Sequence, residues 1–169
     1  MKPLESEFLE KIENHKGMIF KISKMYVDGK EDREDLFQEI IYQLWKSYQS
    51  FEGKSQFSTW LYRVSINTAL TFLNKEKKKT DNASLTENID VQDENSDEKE
   101  TQLEFFYKAV HELNPVEKAL IFLFLEGQSH KEIATNLGIT EVNARVKLNR
   151  TKEKLQQITD RTQNSCSLQ

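Results

Sequence analysis

Val142, Arg145, Val146, Asn149 and Arg150 place guanidinium, carboxamide and branched methyl groups within one short stretch of chain. These are the groups the major groove of duplex DNA accepts: a guanidinium pairs with guanine or phosphate, a carboxamide with adenine, and methyls pack on the thymine methyl. They work together only if one surface displays them. At 100° per residue, Ala144, Leu148, Thr151 and Leu155 form an inward stripe and the five reading groups spread over the far side. A basic outer face alone is also what a solvated bundle helix carries. The two outward valines favour a groove, since they are costly in water and useful against DNA.

Local signals fix how this helix is presented. The segment Ser129 to Lys154 reads as two short helices broken at Asn136-Leu137-Gly138-Ile139-Thr140. Ser129 caps the first, with Glu132 as its capping-box partner, because the free amides of a first turn need acceptors. Gly138 ends that helix in the left-handed conformation, and Thr140 caps the next. The expected motif is a helix-turn-helix, whose partner is duplex DNA.

A second set of groups lies earlier in the chain. Phe51-Glu52-Gly53-Lys54-Ser55-Gln56-Phe57 is a polar loop with aromatic ends, followed by Trp60 and Tyr62. Stacking faces beside positive charge are how single-stranded nucleic acid is held. The charge comes from Arg63, Lys75, Lys77, Lys78 and Lys79, set against Glu76 alone. Cations at a helix C-terminus are also stabilised by the macrodipole, and aromatics at this spacing also serve as core, so a structural role stays open for both.

The elements that must position these groups are helical. Phe8, Leu9, Ile12, Ile19, Phe20, Ile22, Met25 and Tyr26 form one apolar stripe, with a break expected near His15-Lys16-Gly17 and a turn at Asp28-Gly29. Leu36, Phe37, Ile40, Ile41, Leu44, Trp45 and Tyr48 form a second stripe, the strongest helix signal in the chain. Opposite it lies a polar face of Asp35, Gln38, Glu39, Gln43 and Lys46. Ser58 to Lys79 gives a third helix, with Leu61, Val64, Ala69, Leu70 and Leu73 apolar. A chain of 169 residues with five Gly and two Pro is thus expected to be all-α, in two small helical domains.

Charge divides the chain. Residues 1 to 79 carry 14 cations and 12 acids, residues 80 to 100 carry one and eight, and residues 101 to 169 carry nine and eight. The middle segment has too few apolar residues to offset ordering and reads as a flexible acidic linker that repels DNA phosphate. No apolar run approaches the length of a membrane helix and the first residues lack a signal core, so no membrane insertion and a cytoplasmic location are expected. The lone Cys166 forms no internal disulfide. His15, His111 and His130 fall on separate elements, and neither a metal-spaced ligand set nor a glycine-rich phosphate loop appears. Neither catalysis nor a cofactor is expected.

Asp35-Leu36-Phe37-Gln38-Glu39, the run Ser50 to Val64 with Asn67 following, and the helix-turn-helix after Leu113-Asn114-Pro115 together resemble bacterial RNA polymerase sigma factors of the extracytoplasmic-function group. The resemblance implies region two over residues 5 to 79 and region four over 101 to 158, joined by the linker of 80 to 100. It implies core RNA polymerase as a partner, docked on Asp35, Gln38 and Glu39. It also implies promoter DNA, as a melted minus-10 element at Phe51, Glu52, Gly53, Lys54, Ser55, Gln56, Phe57, Asn67, Lys75, Lys77 and Lys78. The duplex minus-35 element would meet Val142, Asn143, Arg145, Val146, Lys147, Asn149 and Arg150. Val146 and Asn149 depart from the residues common in the family, which bears on promoter sequence rather than binding mode. An anti-sigma factor is a further partner the resemblance admits. The alternative is a helix-turn-helix regulator with an N-terminal sensor or dimerisation domain that binds duplex operators without polymerase; nothing in residues 1 to 79 resembles a ligand pocket or a phosphoacceptor domain.

Overall fold

A computed structural model describes residues 3–82 and 98–167, apart from the side chains of 79–82, 98–100 and 165–167. Its ordered elements are seven α-helices, with no strand among the described residues. Most of the expected linker lies outside those residues; its first and last few positions belong to helices, since one helix ends at Asn82 and the next begins at Glu98. The helices fall into two compact units, residues 1–88 and 89–169.

The first unit is a three-helix bundle of α1 (Pro3–Tyr26), α2 (Lys30–Tyr48) and α3 (Phe57–Asn82). Phe8, Ile12, Ile19, Ile22, Leu36, Ile40, Leu44, Leu61, Ile66 and Ala69 meet at its centre. The break expected at His15-Lys16-Gly17 is absent, and α1 runs through it. One glycine inside a helix costs about 1 kcal/mol relative to alanine, which packing of the neighbouring Ile12, Met18 and Ile19 outweighs. Leu9 and Phe20, counted with the apolar stripe, stand exposed instead. On α3 the buried set includes Ser65 and Ile66, while Val64, Leu70 and Leu73 are half-buried.

The second unit comprises α4 (Glu98–His111), α5 (Pro115–Leu125), α6 (His130–Leu137) and α7 (Glu141–Ser167). Pro115 opens α5 and Asn114 caps it, with Glu117 completing a capping box. Ala119 to Leu123 are all buried and pack with Val110, Ile133, Ala144 and Leu148. The helix expected to be short after Thr140 is 27 residues long. Its inward stripe continues through the half-buried Leu155 to Ile158. Lys154 reaches Glu117 at 3.0 Å and Arg161 reaches Glu112 at 2.7 Å, tying the long helix to its neighbours.

Candidate nucleic-acid interface

The turn between α6 and α7 is built by the residues whose chemistry demands it. The Ser129 hydroxyl accepts the Glu132 amide at 3.2 Å, and the Glu132 carboxylate accepts the Ser129 amide at 2.9 Å. Gly138 sits at φ 67°, ψ 34°, where a β-carbon is disfavoured. The Ile139 amide closes back on the Ala134 carbonyl at 3.0 Å. The Thr140 hydroxyl then accepts the Asn143 amide at 3.1 Å and starts α7. Each cap is local, so the angle between the two helices is set by the chain itself.

On α7, Ala144, Leu148 and Thr151 are buried. Val142, Asn143, Arg145, Val146, Lys147, Asn149 and Arg150 are all exposed, Val142 by 69% and Val146 by 39%. The stretch from Val142 to Arg150 is about 12 Å long, which matches the width of a major groove. Arg145 makes only a long, solvent-facing pair with Glu141 at 3.8 Å, leaving its guanidinium available. Glu153 is exposed one turn beyond Asn149, an acid at the C-terminal end of this face.

The loop in the first unit is organised by its rings. Phe51 lies 6.0 Å from Phe57, and the two pack on Trp60 at 4.9 and 5.4 Å. Tyr48 contacts all three. The aromatic ends therefore clasp one another instead of standing free as stacking platforms. Glu52, Gly53, Lys54 and Gln56 project at the apex, with Gly53 at φ 71° and Lys54 paired to Glu52 at 2.9 Å. Ser55 is half-buried between them.

Arg63, Asn67, Thr71, Asn74, Lys75, Lys77 and Lys78 are exposed, and helical spacing puts them on one broad face of α3. Glu76, the one acid of that segment, is half-buried and lines the groove between α2 and α3 beside Lys75. From Phe57 to Lys78 the helix rises about 30 Å. The loop, Asn67 and the lysines thus form a track along α3 rather than one pocket. Asn67 and Lys75 line a groove between α2 and α3 with Glu39, Gln43 and Thr71.

The acidic candidates straddle a ridge on α2. Asp35 is exposed on its crest. Gln38 faces a groove towards α1 that contains Phe20 and Phe37, while Glu39 faces the α3 groove, half-buried and accepting the Gln43 amide at 3.0 Å. Sequence reasoning passed over Tyr42, 57% exposed and two turns beyond Asp35 on the same crest. Its signal was available: it lies off the Leu36-Ile40-Leu44 stripe. Near the start of α2 the Asp32 carboxyl is held above its ordinary range, by burial first and then by Glu76 and Asp35.

Residues 12–79 match the family described as Sigma-70 region 2, and residues 106–155 match Sigma-70, region 4. The chain is 29% identical over 141 residues to the ECF RNA polymerase sigma-E factor of Haemophilus influenzae, covering 76% of this chain and 75% of that protein. It is 31% identical over 124 residues to the ECF RNA polymerase sigma factor SigX of Bacillus subtilis, covering 68% and 64% respectively. Among solved structures, the sigma factor RpoE of Bartonella quintana, crystallised with the anti-sigma factor NepR, has the same fold. Its TM-score is 0.71 at 20% identity over 91% of this chain and 97% of that one.

Proposed function

The chain belongs to the sigma-70 family, in its extracytoplasmic-function group, and we propose how its two helical units divide a sigma factor's work. As a member it binds core RNA polymerase and directs promoter-specific initiation of transcription. In our reading the unit with α1 to α3, residues 5 to 79, docks on polymerase through Asp35, Gln38 and Glu39. It takes the melted minus-10 strand along the loop of residues 51 to 57, Asn67, Lys75, Lys77 and Lys78. The unit with α4 to α7, residues 101 to 158, lays α7 in the minus-35 major groove through Val142, Asn143, Arg145, Val146, Lys147, Asn149 and Arg150.

The observation that carries this reading is the occurrence of both family regions, in order, on one chain. Two weak modules held at fixed spacing by polymerase gain a large effective concentration for the second contact. A chain with net charge -4 depends on that assembly, because it is a poor binder of DNA by itself. The role is that of an initiation factor without chemistry of its own, acting in the cytoplasm; no helix among the described residues is long and apolar enough to cross a membrane. Restraint by an anti-sigma factor belongs to the same proposal, supported by the complex in which the Bartonella relative was solved.

Reconstitution with core polymerase on genomic DNA, followed by sequencing of transcript starts, tests the whole. New starts sharing two spaced elements are expected. Duplex binding that is the same with and without polymerase, and no new starts, would return the chain to the class of independent operator-binding regulators.

A further inference from the structure

Of three α1 residues, each one turn from the next, Lys11 and His15 meet the Phe57 ring that closes the Phe51 to Phe57 loop, and Glu7 holds Lys11 and Tyr48 beside it. Glu7 accepts the Tyr48 hydroxyl at 2.9 Å and pairs with Lys11 at 3.1 Å. The Lys11 ammonium lies 5.1 Å from the centre of the Phe57 ring and 5.6 Å from that of Tyr48. His15 donates from Nδ1 to the Lys11 carbonyl of its own helix at 2.7 Å, and sets its ring against Phe57 at 5.2 Å. That carbonyl bond requires the proton on Nδ1, so the ring donates there and its orientation is fixed. From the other side Phe57 meets Trp60 and Phe51, which belong to α3 and to the loop itself. The α1 stripe therefore clamps the loop's closing ring from outside.

We propose that Glu7, Lys11 and His15 are positioning residues that hold the Phe51 to Phe57 loop in the shape that receives an unstacked base. The inference rests on the reading of that loop as part of the minus-10 surface. The apex residues Glu52, Gly53, Lys54 and Gln56 are exposed, so the shape of the apex depends on what is fixed at its two ends. Phe51 is fixed by Trp60 and Tyr48, directly continuing α2; Phe57 starts a helix and needs a lateral stop, which the α1 stripe provides. Mutual stabilisation shows in the charges: Lys11 and then Tyr48 hold the Glu7 carboxyl below its ordinary range, and Glu7 holds Lys11 above its own. An exposed ion pair contributes little to global stability, so the consequence of losing it falls on the loop it touches.

The experiment uses holoenzyme reconstituted with core polymerase. The probe is a duplex with a premelted, single-stranded minus-10 tract, selected from a randomised pool by the wild-type holoenzyme. Lys11→Met should weaken binding about two- to fivefold, the range of an exposed cation–π contact. In the free chain it should also raise acrylamide quenching of tryptophan emission, since both tryptophans, Trp45 and Trp60, sit in this ring cluster. Lys11→Arg should restore both, and Glu7→Gln should weaken binding in the same direction as Lys11→Met. Wild-type binding and quenching by Lys11→Met would overturn the proposal. So would tighter binding by Glu7→Gln with a reduced salt slope for Lys11→Met, because freeing Lys11 then strengthens a direct phosphate contact. Gln56→Ala at the apex separates the two levels. If it binds as wild type, the loop reading fails and the clamp falls with it; if it loses binding while Lys11→Met does not, the clamp alone fails.

Discussion

Replacing Arg150 by Ala tests the recognition helix most directly, because this side chain is exposed and its loss should leave the fold within about 0.5 kcal/mol of wild type. Arg150 lies towards the far end of the reading stretch, and helix-turn-helix proteins read bases mainly from the N-terminal part of the helix. A phosphate contact is therefore expected. Each one contributes about 0.9 to the slope of log affinity against log salt, so over the fourfold rise from 50 to 200 mM the variant should lose about 3.5-fold less affinity than wild type. Arg145 is nearer the helix start, held only by its 3.8 Å pair with Glu141, and its replacement should cost about 1–3 kcal/mol at one base position. Val146→Ser should relax tolerance at a thymine without touching the slope, since a methyl contact releases no counterion. The assay is a salt series of holoenzyme on promoter duplexes with single substitutions in the minus-35 element, each variant compared with wild type so that polymerase's own contacts cancel. Wild-type affinity and slope for the double Arg145→Ala, Arg150→Ala variant would refute the assignment of α7 to the groove.

Asp35→Arg should weaken core polymerase binding on the order of tenfold with unchanged helicity, measured by titration and circular dichroism; Asp35 is a cleaner probe than Glu39, whose half-buried carboxylate also holds Gln43. Ser129→Ala removes the acceptor for the Glu132 amide and should cost about 1 kcal/mol, lowering the melting point of the second unit by about 4–8 °C in calorimetry; an unchanged transition would mean that the cap does not hold the turn. For Asp32 the folded carboxyl titrates above its ordinary value of 3.8, so its ionisation opposes folding: the favourable protonated state is complete below that value and is lost as pH rises through the folded one. The melting temperature of Asp32→Asn relative to wild type should accordingly climb as pH rises above the ordinary carboxyl value of 3.8, whatever constant offset the substitution brings, and a difference independent of pH would reject the burial argument.

Caps and stripes were legible in the sequence because they depend on neighbours a few positions away. Ser129, Glu132, Gly138 and Thr140 define the turn through contacts no longer than one helical turn, and each expected bond is present. The Leu36-Ile40-Leu44 stripe likewise follows from helical period alone. What failed locally was outweighed by packing: Gly17 does not break α1, and α7 continues far past the motif, because buried partners on other helices decide whether a marginal segment stays helical. Side-chain allegiance was equally out of reach. Helical spacing put Asp35, Gln38 and Glu39 on one polar face, yet only the positions of α1 and α3 turn Gln38 to one groove and Glu39 to another. The sequence could name Phe51 and Phe57 as aromatic ends of a loop. That they clasp each other, and that Lys11 reaches one of them from 46 positions away, depends on three helices meeting in space, which no period along the chain encodes.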